Sequence, residues 1–127
     1  MDFIRKLRAD PTTLEVLGDG RQQKSYLLVG DCVDAMRFGV THAPDPVNLL
    51  NLGGPDQITV DRIARILLDE MRLPHTTIRY TGGARGWAGD VPEMSLSTQK
   101  LAALGWTPHH TSEDAIRKTC QILLQEL

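Results

Sequence analysis

Glycine is concentrated in one part of this chain. Six of its eleven glycines fall between Gly53 and Gly89. Backbone kept that bare of side chains is used where the chain must approach another group closely, often a ligand. The densest part, Arg85-Gly86-Trp87-Ala88-Gly89-Asp90-Val91-Pro92, joins a Trp and a fixed acid to the loop. It leads to a short helix ending in Leu104-Gly105-Trp106-x-Pro108. Such a loop keeps a shape only when a frame holds it, and the rest of the sequence reads as that frame.

The frame alternates short strands with helices. Phe3, Ile4 and Leu7 have helical spacing up to Pro11. That helix opens at the start of the sequence without a leader, which suggests that a segment once preceded it. Leu14–Leu17 is a strand turned by Gly18-Asp19-Gly20, and Tyr26–Val29 is a second strand. Asp31 is expected to cap a helix from Cys32 to about Val40, rather than to serve as a ligand group. Val47–Leu52 reads as an apolar strand ended by Gly53-Gly54-Pro55. Thr59 caps the clearest helix, with Val60, Ile63, Ala64, Leu67, Leu68 and Met71 on one face and Asp61 at its N-terminus. Thr76–Thr81 has strand composition. Ser97 is expected to cap Thr98–Leu104, with Gly105 at C′. Thr111 or Ser112 caps the last helix, whose buried stripe is Ala115, Ile116, Thr119, Cys120, Leu123 and Leu124. This order predicts one small α/β or α+β domain over residues 1–127.

The 127 residues suffice for one domain with a real core, and 14 Lys+Arg against 16 Asp+Glu leave the chain near neutral. No basic run argues for nucleic acid. No apolar stretch approaches the ~20 residues of a membrane span, so a cytoplasmic location is expected. Cys32 and Cys120 lie far apart outside any Cys-x-x-Cys pair, and free, half-buried thiols are expected. His109-His110 lacks a third ligand, so a surface loop pair is expected rather than a metal site. Trp106 with Pro108 reads as core.

Several motifs then carry a resemblance. Gly18-Asp19-Gly20-x-Gln22-x-Lys24-Ser25-Tyr26 and Val29-x-Asp31-x-Val33-x-Ala35 come first. Asn51-Leu52-Gly53 with Thr59-Val60 follows, then Gly89-Asp90-Val91, Lys100 and Leu104-Gly105-Trp106-x-Pro108. In this order they resemble the C-terminal half of NAD-dependent nucleotide-sugar epimerases and dehydratases, the extended short-chain dehydrogenase/reductase family of the UDP-glucose 4-epimerase type. The resemblance implies the small C-terminal domain of those enzymes without their N-terminal Rossmann half. In the family that half binds NAD(P) and carries a Tyr-x-x-x-Lys pair. Here Tyr26 is followed four residues on by Gly30, and Tyr80 by Ala84, so no catalytic residue is assigned. Gly83-x-x-Gly86-x-x-Gly89 imitates a dinucleotide motif, but Asp90-Val91-Pro92-Glu93 does not continue as the required helix. No cofactor or metal is therefore expected on this chain alone.

What the resemblance implies for the residues is a half-cleft for a nucleotide-diphosphate sugar. Val16 and Leu17 would flank the base, Lys24 would face the diphosphate, Tyr26 would line the cleft and Val60 would touch base or ribose. Asp90 would accept from the ribose or orient a neighbouring base. Lys24 stands where the family has Arg and lacks its bidentate fork; a solvated strand-end lysine is the plainer reading. Trp87 occupies the position of a diphosphate-gripping Arg, three residues before the acid. It either stacks on a ligand or packs, while Arg85 could reach over the loop. Two functions remain: the substrate-binding part of such an enzyme, or a non-catalytic module that forms a homodimer or docks on a Rossmann-type partner.

Overall fold

A computed structural model describes residues 2–91 and 93–126. Pro92, the last residue of the glycine-rich stretch, lies outside the described residues. The elements in order are α1 (Asp2–Ala9), β1 (Thr13–Val16), β2 (Gln23–Lys24), α2 (Val29–His42), β3 (Ile58–Thr59), α3 (Val60–Glu70), β4 (Thr77–Tyr80), β5 (Glu93–Met94), α4 (Gln99–Ala103) and α5 (Ser112–Glu126). The mixture of helices with small sheets agrees with the expected class.

Two short sheets organise the chain. β1 pairs parallel with β4, from Thr13 opposite Thr77 to Val16 opposite Tyr80. In the other sheet β2 is central, antiparallel to β3 and parallel to β5. The apolar stripes of α1, α3 and α5 close over β1, burying Ile4, Leu7, Leu14, Val16, Ala64, Leu67 and Cys120 together. Each large aliphatic side chain so buried contributes about 1.5–3 kcal/mol. Arg62 and Arg117 of α3 and α5 bond Glu113 and Glu70 across the helix pair, with Arg62 Nε 3.0 Å from Glu113 and Arg117 Nη1 2.6 Å from Glu70. A second cluster joins Ala35 of α2, Leu101 of α4 and Trp106. The Trp106 indole N–H donates to Asp34 at 2.8 Å, which satisfies its one polar atom inside that core.

The caps divide. Thr59 accepts from the Arg62 N–H at 3.1 Å, as expected of an N-cap. Thr111 exchanges bonds with Asp114, whose N–H donates to the threonine hydroxyl at 3.1 Å. Gly105 follows α4 with φ +104. Ser97 is not a cap: Thr98 holds that place without a side-chain bond, and the Ser97 carbonyl accepts from the Asn51 amide at 3.0 Å.

Asp31 is corrected as well. α2 starts at Val29, three residues earlier than expected, so Asp31 lies inside its first turn. It is buried and accepts the backbone N–H groups of His109 and His110, each at 3.0 Å. His110 is thereby more than a surface residue. Its Nδ1 lies 3.1 Å from Asp31, and its Nε2 faces the Lys118 ammonium at 2.7 Å. Burial works to raise the Asp31 carboxyl, but the side-chain and backbone bonds of His110 and the His109 N–H together hold it below its ordinary value.

Neither Tyr26–Val29 nor Val47–Leu52 forms a strand. The Tyr26 N–H donates to the buried Ser112 hydroxyl at 3.0 Å, and that hydroxyl reaches back to the Tyr26 and Asp56 carbonyls, so these backbone groups are satisfied without a ladder. Residues 47–52 alternate as a strand would. Leu50 and Leu52 pack on the second cluster, while Val47 and Leu49 are exposed, and no described strand lies beside them to pair.

Candidate functional site at the Gly18 turn

The β1–β4 ladder runs on into the turn that follows β1. Thr81 N–H donates to the Val16 carbonyl at 3.0 Å and Gly82 N–H to the Gly18 carbonyl at 2.9 Å. Gly18 and Gly20 take φ +80 and +76, which a side chain adopts only under strain. The beginning of α3 seals the other side. Val60 N–H donates to the Gln22 carbonyl at 3.1 Å and Asp61 N–H to that of Gly20 at 2.9 Å. The leading N–H groups of α3 are thus consumed by the turn and do not face outward for an anion.

The glycine-rich loop folds onto this turn. A Cβ on Gly18 would lie 3.0 Å from the Arg85 carbonyl, and one on Gly86 would meet the Asp90 carboxylate at 3.3 Å and Leu17 at 3.5 Å. Asp90, only 8% exposed, is the hinge of the arrangement. One carboxylate oxygen takes the Lys24 ammonium at 2.7 Å and the other the Gly86 N–H at 3.0 Å. The lysine bond, reinforced by the Gly86 N–H, holds its carboxyl below the ordinary range. Lys24 is therefore neither free nor fully solvated. Its ammonium has three donors and gives one to Asp90, so the pair offers donors beside an acceptor.

Leu17, Lys24 and Asp90 thus come together, with Leu17 partly exposed over the turn. Val60 lies beneath, its backbone on Gln22 and its side chain against the first core. Val16 does not belong: with 0% exposure it is core, which corrects the expectation that it flanks a base. Tyr26 is half-buried and fixed through Ser112, with its carbonyl against Gly54 and no bond to the Lys24–Asp90 pair. The Arg85 side chain is exposed. Trp87 is 66% exposed and does not pack into the core; its ring lies across Gly89, where a Cβ would fall 2.4 Å from it.

Gln22 also belongs to this arrangement. It is 3% exposed and its amide nitrogen donates to the Leu17 carbonyl at 3.1 Å, closing the turn, while its amide oxygen is buried without a partner among the described residues. Its place two residues after Gly20 in the glycine motif was the available signal. Tyr80 and Asp61 flank the same turn. The Tyr80 hydroxyl donates to Asp61, which also takes Arg65 Nε at 2.9 Å. The arginine bond foremost, then the tyrosine, lowers the Asp61 carboxyl, and burial followed by Asp61 raises the Tyr80 phenol.

The glycine run does not fit a dinucleotide. Gly82 and Gly83 turn the chain at φ +84 and +86, Gly86 and Gly89 lie against Asp90 and Trp87, and the next element is β5 rather than a helix. Among the described residues no group of three His, Cys, Asp or Glu side chains is placed to hold a metal, and no helix is long and apolar enough to cross a membrane.

Comparison with known proteins agrees with this fold. A solved UDP-galactose 4-epimerase shares 38% identity with the chain at a TM-score of 0.82, over 99% of this chain and 39% of that one. GDP-mannose 3,5-epimerase of Arabidopsis thaliana is 28% identical over 120 residues, 92% of this chain and 29% of its own length. dTDP-glucose 4,6-dehydratase of Bacillus anthracis, solved with NAD, has the same fold at 20% identity and a TM-score of 0.73, covering 94% of this chain and 37% of that one. No protein-family model matches the sequence. The chain spans only about a third of the length of the relatives it matches.

Proposed function

We propose, from the premise that this chain is a partial, C-terminal part of the short-chain dehydrogenase/reductase type found in nucleotide-sugar epimerases, that it binds the nucleotide-diphosphate end of a sugar nucleotide and does not catalyse alone. The observation that carries this is the Lys24–Asp90 pair, held at 2.7 Å by the glycine-rich loop beside Leu17. A diphosphate needs N–H donors and a base needs an apolar slot with a polar edge. Because Asp90 already claims part of the ammonium, a phosphate gains less from Lys24 than from a free cation. Binding by this part alone should be weak. In the whole enzyme an NAD(P)-binding half would supply the hydride acceptor and the base.

An amide NMR titration with UDP, dTDP and GDP tests this. Shifts confined to Leu17, Lys24, Val60 and Asp90, and reduced in Lys24→Ala, are expected. Equal binding by both proteins would exclude the phosphate role of Lys24.

A second observation favours docking. Val29, Val33, Met36 and Val40 form an exposed stripe along α2, and exposed Val47 and Leu49 lie in the strand-like segment after it. The surrounding groove, lined in part by Met36, Val40, Leu50 and Leu52, measures about 450 Å³. Contiguous apolar surface of this kind marks an interface. It would receive a Rossmann-type half, and a second copy of the chain when no such half is present. Sedimentation should then show association that Val40→Asp abolishes; a monomer at high concentration would count against the homodimer.

A further inference from the structure

Trp87 belongs neither to the core nor to the Lys24–Asp90 pair, yet the chain holds it in place. The Gly86 N–H before it donates to the Asp90 carboxylate at 3.0 Å, and the Asp90 N–H donates to the Trp87 carbonyl at 3.0 Å. The backbone is therefore tied to Asp90 on both sides of the indole. The six-membered part of the ring rests on Gly89, where a Cβ would run into Cζ3 and lie 2.7 Å from Cη2 and 3.2 Å from Cε3. Gly89 does not have a left-handed φ, so its backbone would accept a side chain. What it provides is room, because a side chain there would displace the indole. The ring so held remains exposed and presents a flat apolar surface to solvent.

The setting selects the kind of group that would cover it. Trp87 to Asp90 form one β-turn, so the aromatic ring and the Lys24 ammonium, bonded to Asp90 at 2.7 Å, belong to one assembly. Gly86 brings the same loop onto Leu17, itself exposed: a Cβ on Gly86 would lie 3.5 Å from that of Leu17. An apolar side chain, an aromatic plane and a charged donor around one turn match a ligand that joins a flat ring to a phosphate. A nucleobase is such a ring, and every base has a face that stacks on an aromatic side chain. A ring already fixed against Gly89 loses little freedom when the stack forms.

We infer that Trp87 is the stacking platform for the nucleobase. This rests on the sugar-nucleotide reading above and adds to it the group that holds the base. Trp87 is then a binding residue, and Gly89 a positioning residue that acts through it.

The test is an NMR titration of the indole N–H signals of the chain's two Trp residues. Trp106, buried and bonded to Asp34, is the internal control. UDP and uridine, which share the base, should move the Trp87 signal saturably and leave that of Trp106 in place. Inorganic pyrophosphate, which has no base, should move neither. Trp87→Leu keeps an apolar side chain but removes the plane. It should weaken UDP about five- to 140-fold, equivalent to the ~1–3 kcal/mol of one base–aromatic stack, and leave pyrophosphate binding unchanged. Trp87→Phe should retain part of the affinity. Gly89→Ala should weaken UDP with the indole still present, because its methyl group displaces the ring. The two readings fail separately. If Lys24→Ala weakens UDP but the Trp87 indole does not move at millimolar UDP, the phosphate role stands and the stacking is overturned. If uridine moves the Trp87 indole and Lys24→Ala binds UDP as wild type does, the stacking stands and the phosphate role falls. Equal UDP affinity in Trp87→Leu and wild type would overturn the inference. So would a Trp87 signal that answers only to protein concentration, by making the ring a contact between copies.

Discussion

Replacing Gly18 by alanine tests whether the turn after β1 and the glycine-rich loop are one structure. The new Cβ would lie 2.2 Å from the Gln22 amide nitrogen and 3.0 Å from the Arg85 carbonyl carbon, on a residue with φ +80. The left-handed backbone alone costs about 1–2 kcal/mol for a residue with a side chain. The Gln22 amide must also leave the Leu17 carbonyl in a place water does not reach, adding about 1–3 kcal/mol. The total is about 2–5 kcal/mol. Gly82→Ala separates the two contributions, because Gly82 has φ +84 with nothing within 4 Å of its Cβ, and should lose only about 1–2 kcal/mol. Gly30→Ala sets the opposite sign. In the first turn of α2 its Cβ also meets nothing within 4 Å and its φ is not left-handed, so alanine should stabilise by about 0.5–1 kcal/mol. Urea unfolding followed by circular dichroism reads all three, with an m-value of about 1–3 kcal/mol/M. Coincident midpoints for Gly18→Ala and Gly82→Ala would refute the coupling of turn and loop.

Ser112→Ala should cost about 1–3 kcal/mol, because the Tyr26 N–H and the Asp56 carbonyl lose their partner at a residue with no solvent access; a urea midpoint equal to wild type would show that another acceptor takes over. Acid should destabilise through Asp31, Asp61, Glu70 and Glu113, whose carboxyls are all lowered in the folded chain. On acidification the unfolded chain takes up protons first, near pH 4. Their contribution is therefore full above that range and is lost as pH falls through the lowered values. A urea midpoint that rises between pH 5 and pH 3 would contradict this. Cys120, buried beneath α1 with its thiol raised by burial, should react with a disulfide reagent only on the timescale of unfolding, and rapid labelling in the native chain would disprove that burial.

The sequence by itself determined the elements whose signals are local. The α3 stripe, its Thr59 cap, the Gly18-Asp19-Gly20 turn and the apolar stripe of α5 are each specified by residues a turn or less apart, and each appears in the structure, although Thr119, expected in the α5 stripe, is exposed. The motif order was also enough to identify the kind of protein. Tertiary structure decided what depends on residues far apart in the chain. Whether Tyr26–Val29 and Val47–Leu52 are strands depends on a neighbouring strand or a competing acceptor, and Ser112, 86 residues away, claims the Tyr26 backbone. Asp31 looked like a cap because that is what an acid before a helix usually does. Its real partners, His109 and His110, lie almost eighty residues on. Val16 and Leu17 are adjacent, and only the closure of α1 and α3 over β1 sends the first into the core and leaves the second at the turn. The Lys24–Asp90 bond spans 66 residues. A charge pair of that separation leaves no periodic trace in sequence, because its geometry exists only after β2 and the glycine-rich loop have been brought together.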